Sequence, residues 1–144
     1  MLGIVIALIS GALMSIQGVF NTGITKQTSL WVATAFVQIS AFLVCILAWY
    51  FTGKEGNFSS LFHVDHKYML LGGVLGAFIT YTVIQSIQRL DPVKSAMYIV
   101  SAQLVVAYLI ELFGLFGIEK VNFEFRKLIG VIVFIIGIIV FKWK

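Results

Sequence analysis

The sequence predicts an all-α integral membrane protein of five transmembrane helices. Three observations carry this. Hydrophobic residues make up 60% of the chain and charged ones 11%, with a mean hydropathy of +1.05; a soluble domain has about a quarter of its residues charged. The apolar residues fall into five runs, most close to the ~20 residues that cross a bilayer. Trp31, Trp49, Tyr50, Tyr68 and Trp143 stand at the ends of these runs, where amphipathic rings settle at the membrane interface.

The runs cover about residues 2–20, 30–51, 68–87, 93–116 and 128–143, the last being the shortest, and form one five-span domain over residues 1–144. Connections are short apart from residues 52–67, and no soluble domain, tandem repeat or low-complexity linker interrupts them. The start of the chain lacks the positive segment of a signal peptide, so the first run is expected to be a retained span. A net charge of +4 raises the question of nucleic acid, but the basic residues are scattered in ones, twos and threes between apolar runs. Lipid headgroups are the expected partners, and no nucleic acid. The one cysteine, Cys45, lies mid-span and closes no intrachain disulfide.

In the first span, Gly3, Ala7, Ser10, Met14, Gln17 and Asn21 recur at alternating steps of four and three. One side of that helix is therefore small or polar, and it should face other helices or a water-filled cavity, since lipid offers Gln17 and Asn21 nothing. Gly11, Ser15 and Gly18 extend it. The second span, with Gln38 and Ser40 in an aromatic and aliphatic run, is structural. In the third, Gly72, Gly76 and Thr80 form a small-xxx-small row suited to close helix packing, and the span ends in Gln85, Gln88 and Arg89. In the fifth, Gly130 and Gly137 stand one heptad apart, suited to packing or dimer contact.

The fourth span carries the acid. Asp91 and Pro92 mark its start as N-cap and first-turn proline. Gln103, Ala107 and Glu111 follow at i, i+4 steps and share one broad face. Glu111 lies roughly 8 Å before an expected helix end at Phe116. Two readings stay open at this point. Either Glu111 is an interfacial carboxylate that reaches headgroups or pairs with a loop base such as Lys120, or it holds a proton or a cationic substrate but not both, which yields exchange. Gln17, Asn21 and Gln103 divide in the same way, between interhelical hydrogen bonds worth about 0.6 kcal/mol each and the lining of a polar pathway. Tyr98, Tyr108, Trp31 and Phe20 add aromatic faces that fit either a cation site or simple packing.

Orientation is set by the excess of Lys and Arg in short loops. With five spans, Lys54, Lys67, Lys120, Arg126 and Lys127 fall on one side and Lys26, Arg89, Lys94, Lys142 and Lys144 on the other, five against five. A chain without bias can insert both ways round. Two opposed copies would form an inverted pair like the inverted repeats of larger transporters, so an antiparallel ten-helix homodimer is expected.

Three segments carry a family resemblance: Gln17 to Asn21 (QGVFN), Gly72 to Ala77 (GGVLGA), and Gln103, Leu104 followed by Glu111 to Gly117 (ELFGLFG). Together they resemble the YdcZ-like five-span proteins of the drug/metabolite transporter superfamily, over nearly the whole chain. Asp91–Pro92 replaces a small, glycine-rich stretch, and Glu111 stands where an aspartate is common. The resemblance implies a bacterial inner-membrane location, two five-helix halves and alternating access across their interface, with no substrate specified. The expected function is accordingly secondary transport or export of small metabolites or cations, with Glu111, Gln103, Gln17 and Asn21 handling substrate or protons and Gly72, Gly76, Gly130 and Gly137 serving helix packing. A non-transporting accessory subunit and a passive channel are the alternatives. His63 and His66 around Asp65 lack the further ligands of a metal site. No cofactor, metal or enzymatic activity is expected, as neither a phosphate-binding glycine loop nor a nucleophile–base pair is present.

Overall fold

The computed structural model describes residues 1–54 and 56–142; Trp143 and Lys144, which enter the interfacial aromatics and the charge balance above, lie outside the described residues. The described chain is helical throughout its regular structure: α1 (Leu2–Gln27), α2 (Leu30–Phe51), α3 (Gly72–Leu90), α4 (Pro92–Phe113) and α5 (Phe125–Lys142), with short 3₁₀ turns at Phe58–His63, Lys67–Leu71 and Leu115–Gly117. Among the described residues four segments are long and apolar enough to cross a membrane: α1, α2, the continuous Lys67–Leu90 and α4. The fifth helix is different. Its apolar stretch, residues 128–141, is closed off by Arg126 and Lys127 before it and Lys142 after it. That stretch rises only ~21 Å, against a hydrocarbon core of ~30 Å.

The chain divides into two compact units, Met1–Pro92 and Val93–Lys144. In the first, α3 packs against both α1 and α2, and α1 packs against α2. Small residues permit this. Ala33 and Ile84 are fully buried, Thr34 and Val37 nearly so, and Gly18 of α1 lies so close to α3 that a β-carbon there would stand 2.7 Å from Cδ1 of Ile87 and 3.6 Å from Cγ1 of Val83. Against α2, the amide of Gln38 donates to the Thr80 hydroxyl at 3.3 Å and rests over Gly76, where a β-carbon would meet Nε2 at 3.8 Å. At the other end of the same contact Trp31 stacks on Tyr81, ring centres 4.6 Å apart. These three contacts fix the rotation of α3 about its axis.

Most large apolar side chains are exposed, among them Leu8, Phe20, Phe42, Leu75 and Ile79. In a bilayer this is the favourable arrangement, since lipid tails are as apolar as leucine and association is left to close packing and polar contacts. The buried set is accordingly small and partly polar, with Asn21, Thr22, Thr34 and Ser95 in it. The threonines hide their hydroxyls by bonding back one turn: Thr22 to Gly18 O, Thr25 to Asn21 O, Thr28 to Ile24 O and Thr34 to Leu30 O, all at 2.8–2.9 Å. The first three carry α1 to Gln27, past the apolar run that ends at Phe20, so this helix rises ~39 Å and must tilt or protrude. α2, started by the Ser29 hydroxyl accepting from Val32 N, occupies the same residues as its apolar run.

A single residue, Asp91, joins α3 to α4. Its φ of 71° and ψ of 163° lie in a region populated almost only by glycine. Its N–H donates to Ile87 O, closing α3, and Pro92 opens α4. In the second unit α4 stops at Phe113, short of the expected Phe116, because Gly114 adopts the left-handed conformation that ends helices (φ 65°, ψ 40°). The chain then folds back so that Val121 N–H donates to the Glu111 carbonyl at 2.9 Å. This satisfies one of the carbonyls that the last turn of α4 leaves without an intrahelical partner. α5 begins at Phe125, and α4 and α5 together line an apolar groove of about 410 Å³ that includes Met97, Val100, Phe134 and Gly137.

Candidate functional site

The polar row of α1 is exposed as far as Gln17 and buried at Asn21. Ser10, Met14, Gln17, Phe20 and Asn21 line an open recess of about 560 Å³ along that helix. Gln17 is exposed and Asn21 is buried to 6% exposure, and neither amide has a hydrogen-bond partner among the described residues. Gly18, one residue on from Gln17, faces α3. The helix thus turns its glycine inward and its glutamine outward.

On α4, Gln103 is exposed and without a partner among the described residues, two turns before Glu111. Glu111 is half-buried, and its Oε2 lies 3.6 Å from Nζ of Lys127 in α5. The same ammonium stands 3.8 Å from Oε1 of Glu124. Lys120, the loop base that sequence proximity suggested, packs instead with its β-carbon over Gly114. Three charges therefore meet where α5 begins, two carboxylates sharing one lysine. Three residues before Glu111, the Tyr108 hydroxyl is buried without a hydrogen-bond partner among the described residues.

Gln17 and Asn21 belong to the first unit, Gln103 and Glu111 to the second. Of the packing glycines, Gly76 meets Gln38, while a β-carbon at Gly72, Gly130 or Gly137 would meet nothing within 4 Å. Gly18, expected from the sequence to extend the polar row, makes the closest helix contact of the first unit's glycines. Trp31 is engaged with Tyr81 in packing, and Phe20 is exposed beside Gln17. In the loop after α2, His63 Nδ1 lies 3.0 Å from the Ser59 carbonyl. Among the described residues no group of three His, Cys, Asp or Glu side chains is placed to hold a metal ion.

The chain as a whole, from residue 2 to residue 140, matches the family described as "Putative inner membrane exporter, YdcZ". It belongs to that family. The YdcZ match covers all five helices almost completely, α5 to within two residues of its end. It accounts for the inner-membrane location and the several membrane-spanning helices, and its description is that of an exporter, not of an enzyme. No curated protein and no solved structure matches the chain. The YdcZ description names neither substrate nor coupling ion, so the chemistry has to be argued from the side chains.

Proposed function

We propose that this YdcZ-family chain is a secondary exporter of small metabolites or cations that works as an antiparallel homodimer by alternating access. The observation that supports it best is the polar recess along α1: exposed Gln17 and, one turn on, largely buried Asn21, neither amide hydrogen-bonded among the described residues, on a helix otherwise suited to lipid. Such amides are disfavoured against hydrocarbon and are retained where they meet substrate or water. Glu111 supplies negative charge on α4, and its pairing with Lys127 gives it a tethered cation in the resting state. A proton or a cationic substrate at Glu111 then competes with that lysine, which is the condition for exchange. In this reading α5 crosses the membrane as the fifth span, the shortfall of its apolar stretch being met by local thinning of the bilayer.

The test is flux in liposomes with tetraphenylphosphonium as the probe cation and an internal pH dye as the second readout. Saturable uptake with opposed proton movement is expected, with Gln17→Leu lowering cation flux and Glu111→Gln abolishing the proton signal. Cation and proton fluxes unchanged in Glu111→Gln would remove the coupling role. Flux that does not saturate would indicate a channel, and its absence for a panel of cations and zwitterions an accessory subunit.

A further inference from the structure

The face of α3 that points away from its neighbours carries a second set of polar groups. α3 uses Gly76, Thr80, Val83 and Ile87 against α1 and α2, with Ile84 fully buried. On the opposite side, Thr82, Gln85, Ser86 and Arg89 follow one another at i, i+3, i+4 and i+7, and with Tyr81 and Leu90 they line an open recess of about 470 Å³. Their states differ. The Thr82 hydroxyl is spent on Phe78 O and Ile79 O, and Ser86 has an interaction of its own. Gln85 and Arg89 have no hydrogen-bond or ion-pair partner among the described residues, although they stand one turn apart on the same face.

We infer that Gln85 and Arg89 form a receiving site for a carboxylate or phosphate group. The charge dictates the class: no residue lining the recess is acidic, and Asp91, the acid nearest in sequence, is not among them. A guanidinium presents its donors in a planar fork that matches carboxylate and phosphate oxygens in pairs. Gln85 adds an amide donor one turn deeper. The anionic group comes either from an exported molecule or from a phospholipid headgroup at the membrane surface, and both fit this chemistry. The inference does not depend on the homodimer or on Glu111.

The experiment is thermal unfolding of the full chain in an uncharged detergent, titrated separately with phosphatidylglycerol, with soluble glycerol 3-phosphate and with uncharged diacylglycerol. Saturable stabilisation by at least one of the two anions and none by diacylglycerol is expected. Arg89→Gln should weaken the effective anion about tenfold or more, the worth of a charge-assisted bond, with Arg89→Lys retaining part of the affinity and Gln85→Ala losing less. Response to phosphatidylglycerol alone assigns the site to lipid; response to glycerol 3-phosphate as well assigns it to a soluble anion. Absence of stabilisation by either anion, or equal binding by Arg89→Gln and the unaltered chain, would overturn the inference.

Discussion

Glu111 and Lys127 are joined by an ion pair of 3.6 Å between the last turn of α4 and the first turn of α5. Both side chains keep more than a third of their exposure, 47% and 38% respectively. A pair so exposed contributes only about 0–1 kcal/mol to stability. Lys127→Met is therefore expected to lower the melting temperature in detergent by no more than about 4 °C. Its larger effect should be on cation flux, with a lower KM once the tethered competitor at Glu111 is gone. A large loss of stability with an unchanged KM would make the pair a structural clasp.

Gly114 holds the turn that brings Lys127 to Glu111. Its φ of 65° costs an L-residue about 1–2 kcal/mol, and a β-carbon there would stand 3.1 Å from Lys120 Cβ and 3.3 Å from the Ile118 carbonyl. Gly114→Ala is expected to destabilise the second unit by about 2 kcal/mol or more. Gly114→Asn should cost less on the backbone side, as asparagine tolerates that conformation. Equal stability of the alanine variant and the parent chain, measured by thermal unfolding, would mean that the turn rearranges freely.

Gly18 marks the closest approach of α1 to α3. The atom that an added β-carbon would meet, Cδ1 of Ile87 at 2.7 Å, is the far end of a flexible side chain, so Gly18→Ala should be tolerated with a loss below about 1 kcal/mol. Gly18→Leu cannot be absorbed in that way and is expected to cost about 1–3 kcal/mol. Combining it with Ile87→Ala should recover most of the loss, the non-additivity being the sign that the two residues share one space.

The helices were legible because hydrocarbon demands long apolar runs, and those runs are visible in the residues themselves. α4's end was not, since Leu115 and Phe116 continue the apolar run while Gly114 has already turned the backbone; the glycine in Phe113–Gly114–Leu115 was the signal available. The partner of Glu111 was hidden for a related reason. Proximity in sequence favours Lys120, but the bond from Val121 N–H to the Glu111 carbonyl folds the loop back, and Lys127 is the base within reach. Gln38, a polar residue in an apolar run, bonds Thr80 across α2 and α3. The pairing of Gln85 with Arg89 on the outward side of α3 could not be recognised without knowing which face of α3 is occupied by its neighbours.

The balance of charge between the two sides depends on α5. If α5 crosses the membrane, Lys142 and Lys144 lie opposite Lys120 and the count is five against five. If it does not, those two lysines join the side of Lys54, Lys67, Lys120, Arg126 and Lys127, giving seven against three and one strongly preferred orientation. Cysteines introduced singly at Lys144 and at Ser60, in a Cys45→Ala background, separate the cases by labelling in intact cells. Half-labelling at both positions from outside is the expected outcome for a chain that inserts both ways with five spans. All-or-none labelling on opposite sides would keep the fifth span but exclude the opposed homodimer, and all-or-none labelling on the same side would leave α5 outside the set of crossing helices. Adding Lys at Ser29 and Thr28, on the side of Lys26, should shift a balanced chain toward one orientation, because it turns five against five into five against seven. The same additions should leave a seven-against-three chain where it is.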